Sequence, residues 1–428
     1  MLKTYRWSTV LVLFFLAMLI NYLDRSALSV ATPILIKEFR LSPSEMGMVH
    51  SSFFAGYALF NLVGGYFADK YGGRIVLIYS MVVWSVFCGL TTIATGLSSL
   101  LIIRFMFGVG EGPISAATNK VIYNWFPAVE RTRAMSYALV GVPLGGAVAG
   151  PIVGLLTSYW GWKPAFLILV FIGIIWAAVF ARKVSEHPKD CSGISQEELA
   201  FITNSNANIS TGNKELDEVK PISYYLSKPI ILVAGFGYFA TSYLLFFFLS
   251  WFPSYLVMAK GLSMKEMSIA TVVPWLVGTF GFVFGGHIAD YVLAKTGNPY
   301  LTRKLITVTC CIIAAACVVL AGTVTTLIAA LALTGIALFT VYVAMPNFWG
   351  IVQDNVPGQR MGVVGGFIHF VANCSGVLAP YITGLIIEKT GGQFISAFYV
   401  SAGINILGAI VLFMFVKGSK NNPLKTGI

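Results

Sequence analysis

Four charged side chains interrupt long apolar stretches and are the best candidates for chemistry in this sequence. Asp24 and Arg25 are adjacent, whereas Arg104 and Glu111 lie seven residues apart in a later stretch. On a helix, seven residues place two side chains on one face, about 10 Å apart along the axis. Burial favours a protonated carboxyl group and a neighbouring arginine favours the ionised form, so such a group of charges could exchange a proton when an anion arrives. The alternative is a permanently ionised network that only ties two helices together.

A guanidinium group is suited to binding an anion, because it is planar and can donate two parallel hydrogen bonds. An ionisable group at the centre of a bilayer costs at least about 2.5–3.5 kcal/mol unless it is paired or hydrated. Charges retained at such positions therefore indicate a functional site.

The composition places these charges inside a membrane. Of 428 residues, 57% are hydrophobic and only 11% are charged, and the mean hydropathy is +0.81. About a quarter of an average soluble sequence is charged, so this chain has too little ionic surface for a soluble protein. We predict an all-α membrane protein.

Twelve apolar stretches are long enough to cross a bilayer, which takes about 20 residues each. A polar segment over residues 184–228 separates six of them from the other six and predicts a linker with at most short helices. The predicted domains are an N-terminal six-helix bundle (1–183), this linker (184–228) and a C-terminal six-helix bundle (229–428). The predicted spans are 8–32, 46–68, 75–95, 99–122, 134–157, 164–182, 230–252, 267–289, 305–322, 326–350, 362–386 and 395–416.

The distribution of basic residues predicts the orientation. Of the 28 Lys and Arg residues, 19 fall in one alternate set of loops and termini and six in the other. This positive-inside pattern places both termini in the cytoplasm, and it explains the net charge of +11 without nucleic-acid binding. The six cysteines match neither a disulfide framework nor a zinc spacing, and no metal or cofactor is predicted.

The sequence contains an internal repeat, a common feature of transporters. Gly65 to Arg74 reads GYFADKYGGR, and Gly286 to Asp290 reads GHIAD, so Asp69 and Asp290 correspond at an offset of 221 positions. Pro151 and Pro380 correspond at an offset of 229. Two landmarks at nearly equal offsets predict two pseudo-symmetric six-helix bundles.

The motif around Asp69 resembles the signature of the major facilitator superfamily. The stretches NYLDR at Asn21 to Arg25, RFMFGVGEG at Arg104 to Gly112 and WFP at Trp125 to Pro127 resemble its anion:cation symporter branch. The resemblance covers nearly the whole chain, with weaker motifs in the second half. Members of that branch carry sugar acids in bacteria and glutamate or sialic acid in vertebrate vesicles.

The resemblance implies roles for particular residues. Asp24 and Glu111, with Arg104 beside them, match positions that bind the coupled proton and link it to substrate, and Arg25 matches the residue that receives the substrate carboxylate. Residues that match lining positions of the central binding site are Tyr22, Tyr57 and Asn373. Ordinary helix packing is the alternative for each of these three.

Five more residues are candidates on chemical grounds. His369 lies one turn before Asn373 on the same face, and Trp349 ends the tenth stretch, so both could contact a substrate or simply pack. Asp69 and Arg74 lie at a helix junction where charges can pair with helix ends in one conformation and separate in another. We predict a gating role for these two and for Asp290.

The leading hypothesis is a proton-coupled symporter that imports an organic anion across the cytoplasmic membrane by alternating access. The anion would be a sugar acid of the hexonate, hexuronate or glucarate type, and the protein a monomer in the lipid bilayer. A proton-driven exporter of a small organic compound is the alternative, and sodium could replace the proton because a carboxylate binds either. A membrane enzyme or a sensor lacks support, since no nucleophile with a base, metal cluster or soluble domain occurs in the sequence.

Overall fold

The computed structural model describes residues 4–210 and 220–416 as helices joined by short loops. The chain ends, which the sequence predicts to be cytoplasmic, and linker residues 211–219 lie outside the described residues. The described chain divides into two compact units. One contains residues 4–210 with Leu262–Val272, and the other contains residues 220–261 and 273–416.

Six long helices build the first unit, as predicted. Five of the six extend beyond the predicted apolar stretches at both ends, because polar loop residues continue the helices, whereas the third helix ends two residues before its predicted stretch does. The helices are α1 (Arg6–Glu38), α2 (Pro43–Tyr71), α3 (Gly73–Ile93), α4 (Leu97–Trp125), α5 (Val129–Trp160) and α6 (Trp162–Lys183).

A further six long helices follow the linker. They are α7 (Pro229–Met258), α8 (Met264–Thr296), α9 (Pro299–Thr323), α10 (Leu327–Asn355), α11 (Arg360–Lys389) and α12 (Ile395–Phe415). Eleven of the twelve helices are both long and apolar enough to cross a membrane. The remaining helix, α2, spans 29 residues, about 43 Å at 1.5 Å per residue. It is less apolar because it carries residues such as His50, Ser51 and Asn61. The prediction of twelve helices in two bundles is confirmed.

Three pairs of neighbouring helices recur in both units. In the first unit α1 packs on α5, and α3 packs on both α4 and α6. In the second unit α7 packs on α11, and α9 packs on both α10 and α12. Each of these three pairs thus has its counterpart six helices later, which agrees with the repeat seen in the sequence.

Glycines let α2 and α4 approach until their backbones touch. A methyl group at Gly108 would overlap the carbonyl oxygen of Phe53 and lie 2.8 Å from the amide nitrogen of Tyr57. Across the same contact, a methyl group at Gly56 would overlap the carbonyl oxygen of Phe105. Small residues at such crossings are typical of membrane helices, where close packing replaces the hydrophobic driving force. This contact fixes the position of α4, which carries Arg104 and Glu111.

Glycines in α5 serve a similar purpose against α1. Methyl groups at Gly141 and Gly145 would overlap carbonyl oxygens of α1, so these two glycines seat α5 directly on the helix that carries Asp24 and Arg25. Further along α5, Gly150–Gly154 forms one π-helical turn around Pro151. A widened turn of this kind accommodates a proline that cannot donate a backbone hydrogen bond.

The first part of the linker is folded onto the first unit. Its helix Gln196–Ser210 has 15 residues and is longer than the short helices predicted. The carboxylate of Glu198 accepts hydrogen bonds from the backbone nitrogens of Tyr5 (2.8 Å) and Arg6 (3.1 Å) and from Arg6 Nη1 (2.9 Å). Arg6 Nε also donates to Glu130 at 3.0 Å. The low average hydrophobicity of the linker gave no indication of this docking, because a few buried charge pairs hold the segment in place.

Gly108→Ala should destabilise the protein by about 1–3 kcal/mol, because the added methyl group overpacks the α2–α4 contact. The matched control is Gly65→Ala in α2, since a side chain there meets no atom within 4 Å. Thermal unfolding of the two variants in detergent measures the difference. A melting temperature for Gly108→Ala equal to that of Gly65→Ala would contradict the close packing described here.

Candidate functional site

The four charged residues singled out in the sequence lie together in the interior of the first unit. Asp24 and Glu111 are fully buried, and Arg104 and Arg25 have exposed fractions of 1% and 6%. Arg25 Nε donates to Glu111 Oε2 at 2.6 Å, which forms a buried ion pair between α1 and α4. The close glycine contacts of α4 with α2 and of α5 with α1 hold the two helices that carry this pair.

The other carboxylate, Asp24, has a different partner. Its Oδ2 accepts a hydrogen bond from Trp84 Nε1 of α3 at 3.1 Å. Its Oδ1 is buried and has no hydrogen-bond partner among the described residues. Asp24 and Arg25 are neighbours in the sequence, but successive residues of a helix point about 100° apart. They therefore contact different helices.

Arg104 lies against aromatic rings and makes no ion pair among the described residues. Its guanidinium carbon lies 4.2 Å from the ring centre of Phe107 and 5.6 Å from that of Phe53. Its Nε and Nη1, together with Glu111 Oε1, are buried without a hydrogen-bond partner in the described chain. Because these donors and acceptors are unused, the buried cluster can still bind a proton, a water molecule or an anionic group.

Aromatic rings surround the Arg25 guanidinium. Its carbon lies 4.4 Å from the ring centre of Tyr57 and 5.1 Å from the ring centres of Tyr22 and Phe53. Aromatic faces attract a cation through the quadrupole of the ring. The structure thus brings Tyr22 and Tyr57, both candidates from the sequence, into contact with Arg25.

Sequence reasoning did not identify Trp84, Phe53 or His50. His50 Nε2 lies 2.9 Å from Thr32 Oγ1 in the same unit. A phenylalanine such as Phe53 in an apolar stretch carries no signal that separates a role in the site from ordinary packing. The polar atoms of Trp84 and His50, within otherwise apolar spans, were the available signals, because a buried polar group needs a partner.

In the second unit, Asn373, His369 and Trp349 lie next to one another. Asn373 Nδ2 lies 3.1 Å from His369 Nδ1 and donates to the carbonyl oxygen of His369 at 2.7 Å. The rings of His369 and Trp349 are 6.2 Å apart at an angle of 35°. The three candidates from this unit therefore form one cluster on α10 and α11.

Asp69 and Arg74, near the junction of α2 and α3, bind different partners. Asp69 accepts from Lys120 Nζ of α4 at 2.7 Å, in a pair that is largely exposed. Arg74 donates instead to the carbonyl oxygens of Ala181 and Val184, at the end of α6. Arg74 therefore caps the C-terminus of α6, where a cation is favourable to the helix dipole.

Glu186 supplies the complementary cap and was not predicted. Its carboxylate accepts from the backbone nitrogens of Gly73 (3.0 Å) and Arg74 (2.8 Å), the first residues of α3, and from Asn124 Nδ2 (3.2 Å). An acidic group at a helix N-terminus satisfies free N–H groups and is favourable to the dipole. Arg74 of α3 thus caps the end of α6, and Glu186, which follows α6, caps the start of α3. Together they connect α3 to α6.

In the second unit the residue that corresponds to Asp69 behaves differently. Asp290 is exposed, and it makes no ion pair within the described chain. Arg303 of α9 contacts both Asp354 and the carbonyl oxygen of Gly350 in α10. Among residues 4–210 and 220–416, no group of three His, Cys, Asp or Glu side chains could hold a metal ion.

The sequence of this chain matches a known family and individual proteins of known or probable function. Residues 14–380 match the sequence model of the Major Facilitator Superfamily. The chain is 41% identical to the hexuronate transporter of Bacillus subtilis (strain 168), over 97% of this chain and 96% of that protein. It is 30% identical to the probable galactarate/D-glucarate transporter GarP of Escherichia coli (strain K12), over 96% and 94% of the two chains.

Solved structures show the same fold. A bacterial homolog of the human lysosomal transporter Spinster, in an inward-facing and occupied conformation, superposes with a TM-score of 0.76. The alignment covers 96% of each chain at 19% sequence identity. At this identity the likeness concerns the fold alone.

Glu186→Ala should lower stability by about 1–2 kcal/mol, because it removes the acceptor for two N–H groups at the start of α3. Glu197→Ala is the matched control, since Glu197 is an exposed acidic residue of the same linker and should change stability by less than about 0.5 kcal/mol. Thermal unfolding in detergent distinguishes the two variants. Equal melting temperatures would show that the Glu186 cap contributes nothing.

Proposed function

This chain belongs to the Major Facilitator Superfamily, and from that premise we propose that it is a proton-coupled symporter that imports an organic anion by alternating access. It is a membrane transporter and not an enzyme. We propose that the anion is a sugar acid of the hexuronate, hexonate or glucarate type. The protein acts as a monomer in the cytoplasmic membrane, with both termini in the cytoplasm.

The observation that carries this proposal is the buried ion pair between Arg25 and Glu111, with Asp24 and Arg104 beside it. Removing one partner of a buried ion pair leaves an uncompensated charge, which costs about 3–5 kcal/mol. If the pair served only to join α1 to α4, apolar side chains could do so without the energetic cost of a buried charge. The descriptions of the relatives as carriers of hexuronates and aldarates support the same conclusion.

Charge balance explains how anion and proton are coupled. With all four groups ionised, the two carboxylates and two guanidinium groups of the cluster carry no net charge. An entering carboxylate would leave one negative charge uncompensated in a medium of low dielectric constant, where such a charge is costly. A proton on a cluster carboxylate restores neutrality. Anion and proton therefore bind together more favourably than either binds alone.

Glu111 is well placed to link the two events. It holds Arg25 Nε at 2.6 Å, so its protonation weakens the ion pair and releases the guanidinium for the substrate carboxylate. Asp24 provides a second proton site, because its buried Oδ1 has no donor among the described residues and a proton there would remove an incompletely compensated charge. Arg104 supplies positive charge to both carboxylates.

Aromatic and polar residues in each unit are assigned to binding the rest of the substrate. Tyr22 and Tyr57 flank Arg25 and can donate hydrogen bonds to a bound sugar acid. In the second unit, Asn373, His369 and Trp349 form a polar and aromatic cluster that suits hydroxyl groups.

We assign gating to the charged residues at the helix ends. Asp69 holds Lys120 in an exposed pair, which can break at little cost because exposed pairs contribute about 0–1 kcal/mol. Arg74 is bound to the end of α6 and keeps α3 and α6 moving together. Asp290, which is exposed, is the corresponding acidic group of the second repeat.

Membrane energetics favour import. Each net positive charge that enters gains about 2.3 kcal/mol per 100 mV of membrane potential. A monoanion that enters with two protons gains from the potential and from the pH gradient. With one proton the cycle is electroneutral and gains from the pH gradient alone.

Purified protein in liposomes should accumulate a labelled hexuronate when an inward proton gradient is imposed, and Asp24→Asn should abolish this accumulation. Glu111→Gln resembles the protonated state, so it should bind and exchange the anion without concentrating it. Uptake and exchange are measured with and without the pH gradient, and with sodium replaced by choline. Normal gradient-driven accumulation by Asp24→Asn would contradict the proposed coupling, and efflux driven by the gradient would favour an exporter.

Arg25→Lys should weaken anion binding at least about tenfold although the charge is unchanged, because an ammonium group cannot reproduce bidentate binding to a carboxylate. If Arg25 served only to neutralise Glu111, lysine would preserve transport. Substrate affinity and melting temperature are measured on the same preparation. Lost affinity at a melting temperature near that of the wild type supports recognition, and retained affinity contradicts it.

A further inference from the structure

We infer that Trp84 is a positioning residue for the proton of Asp24. Its indole N–H holds Asp24 Oδ2 as an acceptor, so that the proton binds and leaves at Oδ1, and it favours release of that proton. The inference rests on the proposed function, in which Asp24 is a proton site, and adds a residue that the sequence did not identify. All the residues involved belong to the first unit.

Trp84 is held in place by the helices on both sides of α3. Its side chain is fully buried. On one side, a methyl group at Gly110 of α4 would lie 2.8 Å from the backbone nitrogen of Trp84. On the other side, a methyl group at Gly173 of α6 would overlap the hydroxyl oxygen of Ser85. The backbone of α3 therefore packs directly on both neighbours at this level, which fixes the indole relative to Asp24.

An indole N–H acts only as a hydrogen-bond donor. It has no acceptor atom, so Trp84 cannot take the proton from Asp24 and pass it on. Its hydrogen bond of 3.1 Å therefore occupies Asp24 Oδ2 as an acceptor whether or not the carboxyl group is protonated. In a neutral carboxyl group the carbonyl oxygen is a better acceptor than the hydroxyl oxygen. The proton consequently belongs on Oδ1.

The surroundings of Oδ1 agree with this assignment. Oδ1 is buried, and no group among the described residues donates to it. Electrostatic interactions couple Asp24 to Glu111 and Arg104 of α4, so a proton on Oδ1 changes the potential at both of these residues. Because Glu111 holds Arg25, the ion pair of the cluster responds to the protonation of Asp24 without touching it.

The same hydrogen bond favours release of the proton. A hydrogen bond to an ionised acceptor is roughly twice as strong as one to a neutral acceptor, so Trp84 stabilises the carboxylate of Asp24 more than the carboxylic acid. This contribution matters in a membrane interior, which otherwise disfavours a charge. A proton-coupled importer must release its proton on the cytoplasmic side to complete each cycle. Trp84 therefore acts in the release step.

Other titratable or charged side chains share the interior around Asp24, and substitution of Trp84 alters none of them. Two neighbouring helices contribute no such group at this depth, since α5 between Gly141 and Ser158 and α6 between Pro164 and Ala181 have no titratable residue. The groups that are present are Tyr22 and Arg25 on α1, His50 and Tyr57 on α2, Cys88 on α3, and Arg104 and Glu111 on α4.

The test uses purified protein in liposomes, with galacturonate as the probe. Trp84→Phe removes the N–H and keeps an aromatic ring. Because the carboxylate of Asp24 is then less stabilised, and because anion and proton bind together, the midpoint of the pH dependence of galacturonate binding should rise by about one pH unit. Net uptake driven by a pH gradient should slow about tenfold. Exchange of internal for external galacturonate needs no loss of the proton and should change by less than about twofold.

Trp176→Phe is the matched control. Trp176 is 4% exposed, and its Nε1 also donates to α1, but to the backbone carbonyl oxygen of Leu13 at 2.9 Å. This variant removes the N–H of a buried indole without affecting a carboxylate, so it should keep the wild-type midpoint. A loss of packing would weaken binding at every pH, whereas loss of the Trp84 hydrogen bond should strengthen binding above the wild-type midpoint. Melting temperatures are recorded for every variant.

Further measurements connect the effect to Asp24. In an Asp24→Asn background, Trp84→Phe should leave the midpoint unchanged, because the carboxylate that it affects is gone. In a Glu111→Gln background the shift of about one pH unit should persist. In wild-type protein labelled with ¹⁵N at the indole nitrogens, one of the nine tryptophan signals should titrate with the midpoint of galacturonate binding and should not do so in Asp24→Asn. This last measurement tests the hydrogen bond even if Trp84→Phe does not fold.

Each outcome decides the question. An unchanged midpoint in a folded Trp84→Phe variant, an equal shift in Trp176→Phe, or a shift that survives in the Asp24→Asn background overturns the inference and leaves the proposed function intact. The absence of an indole signal that follows the binding midpoint overturns it as well. Absence of binding and uptake of galacturonate, galactonate and galactarate in the wild type overturns the proposed function, and the inference with it. A shift that is confined to Trp84→Phe and depends on Asp24 supports the positioning role.

Discussion

Much of the first unit is organised around one buried ion pair, between Arg25 and Glu111. Neither charge could remain in a membrane interior alone, since the solvation of each would be lost without compensation. The pair therefore requires α1 and α4 to stay within hydrogen-bond distance. The glycines of α2, α4 and α5 let α2 pack directly on α4 and α5 directly on α1, the two helices that carry the pair. Helix packing and site chemistry thus impose a single constraint on the sequence.

The protein contains two kinds of polar group, which differ in how completely their hydrogen-bonding atoms are paired. Caps such as Arg74 and Glu186 satisfy helix ends, and neither has a buried polar side-chain atom without a hydrogen-bond partner among the described residues. The central cluster is incomplete, because Asp24 Oδ1, Glu111 Oε1 and two nitrogens of Arg104 have no partner among the described residues. Complete networks give rigidity, whereas incomplete ones can change state when a proton or an anion arrives. The polar groups at helix ends therefore differ in kind from those in the interior.

The sequence was sufficient to predict the twelve helices, the repeat and the residues of the charged cluster. Apolar length and charge placement depend only on the bilayer, which acts on every helix in the same way. The sequence did not predict that Arg25 pairs with Glu111 or that Trp84 donates to Asp24, because such pairings depend on how helices are rotated in the bundle. The docked linker was missed for another reason. Glu198 and Glu186 resemble ordinary solvated charges until their partners Arg6 and the α3 N-terminus are brought to them by the fold.

The folded part of the linker determines where the chain can be split, or a domain inserted, without disrupting the first bundle. Residues from Val184 to Ile202 belong structurally to the first bundle, since Glu186 and Glu198 bind groups at its surface and Ile202 is buried there. A two-gene version that expresses the halves separately, or an inserted fluorescent domain or protease site, therefore belongs beyond Ser210. A break near residue 184, where polarity first rises in the sequence, would separate α3 and the N-terminal tail from their own carboxylate ligands. The rise in polarity near residue 184 and the end of the docked helix at Ser210 thus differ by 26 residues.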